Sequence, residues 1–282
     1  APVVLDAAGE LVELLEVIPE RLWYDFGPGS DHRFVDVPGG VDELKLHADG
    51  RRLSAHGIGL SLPSDMPLDV ALVERLQQLR DDVQFEWYSE HLSSFATMRG
   101  SVPNAQAALG LPVPYDEVVL DLVVEKVETV QSALDLAVAL ENPAVFTPVP
   151  YCEMTEVEFM SRLDEATSGG VLVDLHNLYT NERNGGTPAR EWLEALPVSA
   201  PVEVHLAGGS ELFGFYTDSH ANPTPQPVWD LADEYVHRWP NVRAVVFEMH
   251  ESSIDRVGVD AVLDQLHRMH DLVGSLAGMR VG

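Results

Sequence analysis

Short apolar runs recur along this chain, and six of them stop at a side chain that binds metals well: His56, His91, Glu141, Asp174, His205 and Glu248. Each run is short enough to be a buried strand, and each is followed by a helix-like stretch or a loop. If those strands are parallel, the three imidazoles and three carboxylates emerge together at one end of one sheet. That pattern predicts a metal site.

The spacing predicts strands over Leu11–Ile18, Leu53–Leu62 (interrupted by Gly57 and Gly59), Val83–Ser89, Leu136–Leu140, Val171–Leu175, Val202–Leu206 and Ala244–Phe247. Pro2–Leu5 is a candidate eighth. Helical periodicity runs through Asp69–Arg80, Tyr115–Leu134 and Ile254–Leu272, and another helix starts at Thr155, where Thr155 and Glu158 form a capping-box pair. That helix stops at Ser168-Gly169-Gly170, and Pro188 opens a short one. Gly27–Gly40 reads as a loop, Ser94–Pro114 as an irregular rim, and 92–114, 178–187 and 207–226 as long loops after strands. Strand and helix signals alternate over most of the chain. The expectation is therefore an α/β protein: one (β/α)8 TIM-type barrel of the xylose-isomerase-like kind, a single domain over residues 1–282 with its metal site at the C-terminal mouth of the strands.

Composition narrows the function. The formal charge is −29, from 46 acidic against 17 basic residues, and lysine occurs only at Lys45 and Lys126. Such a surface repels phosphate backbones and anionic lipid, so neither nucleic acid nor membrane is expected as a partner. No run approaches the roughly 18 apolar residues of a membrane span, and Ala1–Glu10 lacks the features of a signal peptide. The one cysteine, Cys152, stands in Pro150-Tyr151-Cys152-Glu153 without an adjacent base. A chain with no intrachain disulfide suits the cytoplasm.

The candidate ligands differ in their neighbours. His56 is flanked by Gly57 and Gly59, which permit close approach of backbone or ligand. Glu90 precedes His91 and competes with it. Glu141, followed by Asn142, is a carboxylate ending an apolar strand, costly to bury unless paired or bound to metal. In a strand, Asp174 and His176 point to the same face and both enter one site, with Asn177 next to them. Glu203 shares a face with His205 and would orient it. Asp218, His220 and His250 lie in or beside glycine- and proline-rich connections. Oxygen ligands mixed with imidazole, and no cysteine among them, suit iron, manganese or zinc. More than six candidates exceed what one ion uses, which points to two or three. No phosphate-binding glycine loop and no nucleophile elbow is present.

In order, His56-Gly57-Ile58-Gly59-Leu60-Ser61-Leu62, Ser89-Glu90-His91-Leu92-Ser93, Leu140-Glu141-Asn142-Pro143, Asp174-Leu175-His176-Asn177-Leu178-Tyr179, His205-Leu206-Ala207-Gly208 and Asp218-Ser219-His220 with Pro227-Val228-Trp229 form a specific set. The set resembles the multinuclear non-heme iron-dependent oxidative enzymes, whose familiar member is the methanobactin-biosynthesis oxidase. The resemblance runs from about Leu11 to Leu272. It implies a TIM-type barrel carrying two or three iron ions of mixed valence. It implies ligation by His56, His91, Glu141, Asp174, His205 and Glu248, with Glu90, Asn142 and Glu203 around them. A third position would draw on Asn177, Asp218 and His220. The implied substrate is a cysteine-containing precursor peptide, oxidised with dioxygen while a ribosomally made natural product matures. A partner protein would present the peptide.

The chain departs from that pattern at Gly209, where the family often has histidine, and at His176, Met249, His250 and Ala144. His176 and His250 would rebuild the third position or alter which metal binds there. Two other readings use the same residues: a divalent-metal isomerase or hydrolase on a xylose-isomerase-like barrel, and a non-catalytic peptide-binding scaffold. An endonuclease on such a barrel is disfavoured by the charge.

Overall fold

The computed structural model describes residues 2–99, 102–146, 149 and 151–280. Pro150 of the connector before Cys152, Gly100 and Ser101 of the expected rim, and the two ends of the chain lie outside them. The chain divides into two compact units, one of residues 14–143 with 149–170, the other of 1–13 with 144–148 and 171–282.

The chain opens with a helix, α1 (Pro2–Ala8), where a short strand was a candidate. A four-residue apolar run cannot separate the two by periodicity. Packing decides, because Val4 is buried with Ile254 and Val262 of the same unit.

In the unit beginning at Leu14, β1 (Leu14–Val17) leads through a 3-10 turn (Pro19–Arg21) to a hairpin of β2 (Trp23–Asp25) and β3 (Phe34–Asp36), and then to α2 (Gly40–Ala48). Most of the expected Gly27–Gly40 loop is turn or irregular chain, and only β3 and the first residue of α2 fall within it. Parallel β4 (Arg52–Gly57), β5 (Tyr88–His91) and β8 (Val138–Glu141) follow, ordered β1-β4-β5-β8 by their pairing. Between them run α3 (Val70–Val83) and α4 (Glu117–Leu134), and α5 (Glu156–Thr167) comes after. Each of these helices has an N-cap side chain accepting a backbone N–H: Asp69 from Leu72, Asp116 from Val119, Thr155 from Glu158. Such a cap is worth about 1 kcal/mol. Helical spacing puts Leu72, Val73, Leu76 and Leu79 of α3, and Leu120, Val123, Val127, Val130 and Leu134 of α4, in the core. Fully burying a side chain of this kind contributes about 1.5–3 kcal/mol. The stretch 94–114, expected to be irregular, holds antiparallel β6 (Ser94–Arg99) and β7 (Val102–Leu111).

In the other unit, β9 (Val171–Asp174), β10 (Pro201–Ala207) and β13 (Ala244–Glu248) are parallel, with β10 between the other two. α6 (Leu175–Arg183) follows β9 directly, and α7 (Ala189–Ala195) precedes β10. The loop 207–226 carries a small hairpin, β11 (Ser210–Leu212) and β12 (Phe215–Thr217). α8 (Gln226–Tyr235) comes before β13. The single closing helix expected over Ile254–Leu272 is two, α9 (Glu251–Val257) and α10 (Val259–Arg280), parted at Gly258. No helix among the described residues is long and apolar enough to cross a membrane.

Register matters most for function. Because neighbouring strands run the same way, their carboxyl ends lie level. His56 pairs with Ser89 and His91 with Glu141. In the other unit His205 pairs with Asp174 and Ala207 with Glu248.

Candidate metal centre

The first group sits at the carboxyl ends of β4, β5 and β8. His91 Nδ1 lies 2.5 Å and His56 Nε2 3.2 Å from the same oxygen, Glu141 Oε2. The two Nε2 atoms of His56 and His91 are 3.1 Å apart. Two imidazole nitrogens at that separation cannot both carry protons, so at least one presents a bare lone pair. His56 Nδ1 is 2.9 Å from Ser89 Oγ, and that hydroxyl is also directed at the Ala55 carbonyl, at 3.5 Å. A serine that donates to the carbonyl accepts from Nδ1–H, and His56 Nε2 then faces His91 and Glu141. His56 and Glu141 are almost completely buried and His91 is partly open. Burial raises the Glu141 pKa, but the charges and hydrogen bonds of His91 and His56 outweigh it and hold the carboxyl well below its usual range. One ligand atom from each of the three lies within 4.8 Å of the others.

Glu90 does not compete for this place. Its Oε2 accepts from Tyr88 Oη at 2.6 Å and from the Leu60 backbone N–H at 3.4 Å. Burial, reinforced by the charge of Glu20, pushes its pKa up to about 8. Glu20 itself, which sequence reasoning missed, is raised by burial. It comes from a 3-10 turn rather than from the end of an apolar run, so no strand pattern marks it. Asn142 is fully buried beside Glu141.

The second group belongs to the other unit. Asp174, His220 and Glu248 each offer a ligand atom within 4.8 Å of one another. His205 Nδ1 is 3.0 Å from Glu248 Oε2, and His220 Nε2 is 3.9 Å from it. Asp218 Oδ1 lies 2.8 Å from His220 Nε2 and 2.9 Å from His176 Nδ1. Burial would lower the His220 pKa, yet the carboxylates of Glu248 and Asp218 raise it to about 10. Burial raises Asp218, but His220 and His176 hold it far below its usual value. Glu203 is fully buried two residues before His205 on β10.

Two expected placements differ. Asp174 and His176 do not share a strand face, because β9 stops at Asp174 and the chain turns at once into α6. The Asp174 carboxylate accepts the Asn177 N–H at 2.8 Å, capping that helix. An aspartate that caps a helix overrides strand alternation. His176 is wholly buried, and its Nε2 has no hydrogen-bond partner. That nitrogen lies 3.0 Å from where a Cβ on Gly209 would stand, and the same Cβ would meet the Thr217 carbonyl oxygen at 1.9 Å. Position 209 thus has no room for a side chain, and His176 fills the adjacent space. His250 reaches the group through its backbone: its N–H donates to the His220 carbonyl at 2.8 Å, while its ring is exposed 5.9 Å from the His220 ring.

The protein has the fold of the xylose-isomerase-like TIM barrels. It superposes on a xylose isomerase domain containing protein of Salmonella typhimurium LT2 with a TM-score of 0.60, at 13% identity, over 95% of this chain and 89% of that one. It superposes on the IolI protein with a bound zinc atom with a TM-score of 0.57, at 12% identity, over 96% and 94%. Within that class, residues 6–271 match the family of RiPP precursor modification enzymes MbnB/TglH/ChrH, and the chain belongs to that family. Among its relatives is a UPF0276 protein of Chromobacterium violaceum, 35% identical over 80% of this chain and 79% of that protein. Another, from Vibrio vulnificus YJ016, is 30% identical over 88% and 81%.

Proposed function

We propose that this protein is an iron-dependent oxidoreductase that uses dioxygen to modify cysteine residues of a ribosomally made precursor peptide. The observation that carries the reading is the meeting of His56, His91 and Glu141. Two imidazole nitrogens and an ionised carboxylate oxygen point at one another in a buried place. One cation could take a lone pair from each of the three, since a ligand atom of each lies within 4.8 Å of the others. The donors are imidazole and carboxylate, with no thiolate, which suits iron in either common oxidation state.

His56, His91 and Glu141 would hold one ion. Asp174, His205, His220 and Glu248 would hold a second. Asn177, Asp218, His220, His176 and His250 are the candidates for a third position. Of these, Asp218 orients His220 and His176 through their ring nitrogens, and His250 contributes only a backbone bond. Iron bound in such a set supplies Lewis acidity toward a thiol and electrons toward dioxygen. The chain's own part is to fix ligand geometry. Ser89 sets the tautomer of His56, and burial keeps water from Glu141. A precursor peptide as substrate accords with the family, and a partner protein would present it. The cytoplasm is the expected setting, and the lone cysteine, Cys152, is exposed.

The test is elemental analysis of protein purified without oxygen, combined with oxygen uptake on adding a cysteine-containing precursor peptide. Bound iron and peptide-dependent uptake are expected. Bound manganese or zinc with no uptake would instead select the divalent-metal isomerase or hydrolase, because the same donors suit those ions.

A further inference from the structure

The turn that follows His56 is held by two acids, and one of them lies far away in the chain. β4 ends at Gly57, so Ile58 and Leu60 leave the strand ladder and need other partners for their N–H groups. The Ile58 N–H is met by Glu20 Oε1 at 3.2 Å and the Leu60 N–H by Glu90 Oε2 at 3.4 Å. Both glycines of the turn are spaces the acids fill. A Cβ on Gly59 would stand 2.7 Å from Glu20 Oε1, and one on Gly57 would stand 1.7 Å from Tyr88 Oη and 2.7 Å from Glu90 Oε2.

Burying a carboxyl group is costly, and here it is done twice in one place. Glu20 Oε2 and Glu90 Oε1 are buried with no hydrogen-bond partner. The outlay is hard to explain as packing, since leucine or glutamine would fill the same space at lower cost. It is explained if the position of the turn has to be exact to a fraction of an ångström. A metal ligand has that requirement, because geometry must hold to about 0.5 Å. His56 is two residues from the Ile58 N–H, so any slack in the turn passes directly to its imidazole.

We propose that Glu20 is a positioning residue: its bond to Ile58 N–H, with that of Glu90 to Leu60 N–H, fixes the turn that aims His56 at Glu141 and His91. The inference rests on the reading of His56 as a metal ligand. The bond of Glu20 to the turn is to a backbone N–H, so Glu20 acts on His56 by fixing the chain that carries it.

The experiment compares wild type with Glu20→Gln, Glu20→Asp and Glu20→Leu, each loaded with ferrous iron anaerobically and then dialysed. Iron retained per chain, the Mössbauer spectrum and the Tm of the metal-free protein are read together. Glu20→Gln keeps an acceptor oxygen in place and is expected to retain iron as wild type does. Glu20→Asp draws the oxygen back by about 1.5 Å, one carbon–carbon bond. It is expected to weaken retention at one ion position by about 10–100-fold, the range for losing a group that orients a ligand. Glu20→Leu is expected to lose that ion with a Tm change too small to account for it. The spectrum should lose one iron component and keep the rest. Wild-type retention and an unchanged spectrum in Glu20→Asp overturn the proposal, even if Glu20→Leu fails to fold. Equal loss in Glu20→Gln and Glu20→Leu also overturns it, because charge and not the backbone bond would then be the cause. A wild-type protein that takes up no iron overturns the metal reading and this inference together, whereas full wild-type uptake with indifferent variants overturns this inference alone.

Discussion

Replacing Glu141 with alanine removes the oxygen on which His56 and His91 converge. In the metal-free protein that oxygen is 2.5 Å from His91 Nδ1 and 3.2 Å from His56 Nε2, on a side chain 1% exposed. Breaking a buried ion pair by deleting one partner costs about 3–5 kcal/mol. His91 keeps 24% of its side chain exposed and can be rehydrated, so the lower end, about 3 kcal/mol, applies. For a chain of this length that lowers Tm by roughly 5 °C. The loss has a pH signature. The folded pKa of Glu141 lies below its unfolded value, so its contribution is complete above the unfolded value, about 4.3, and disappears as pH falls through the folded one. Wild type and variant should therefore differ near neutrality and converge in acid. The assay is thermal unfolding of metal-free protein from pH 3 to pH 8, with iron content measured in parallel. Glu141→Gln keeps the shape and should recover much of the Tm, yet it supplies no anion and should still lose one ion. A Glu141→Ala protein with unchanged Tm, full iron and full activity would refute the reasoning.

Other perturbations separate site from scaffold. Gly57→Ala drives a Cβ to 1.7 Å from the buried Tyr88 hydroxyl, so about 1–3 kcal/mol of overpacking is expected by denaturant unfolding, with lowered iron content. Arg33 bonds both Asp25 and Asp69. Burial raises the Asp25 pKa, but those bonds prevail and lower it. Arg33→Ala should cost about 1 kcal/mol at neutral pH, with iron content unchanged. Because Asp25 is held below its unfolded pKa, that cost should shrink as pH falls below about 4. Leu76→Ala empties a fully buried place on α3, and about 2–5 kcal/mol should be lost without any change in which metal is bound.

Much of the candidate site was legible because each donor closes an apolar run, and a strand covered on both faces leaves its polar signal at its end. Register was not legible: nothing local to Glu141 shows that it pairs with His91. The errors fall where local patterns compete. Asp174-Leu175-His176 alternates like the end of a strand, but Asp174 caps a helix and turns His176 off that face. Pro2–Leu5 has no periodicity to separate helix from strand, and contacts with Ile254 and Val262 decide it. The hairpin over 94–111 does carry a two-residue turn signal, Gly100-Ser101, but Pro103 and Gly110 inside the second strand argue against reading that run as a strand. Glu20 was out of reach for a different reason. Its role depends on a backbone N–H of Ile58, 38 residues later, and no sequence pattern records such a bond.

Diffraction from iron-loaded crystals on either side of the iron absorption edge tests the account most directly. It predicts an anomalous peak within coordination distance, about 2.0–2.2 Å, of donor atoms of His56, His91 and Glu141, and another at Asp174, His220 and Glu248. Loaded crystals with no iron peak at either group, their imidazoles and carboxylates bonded only to one another, would contradict it.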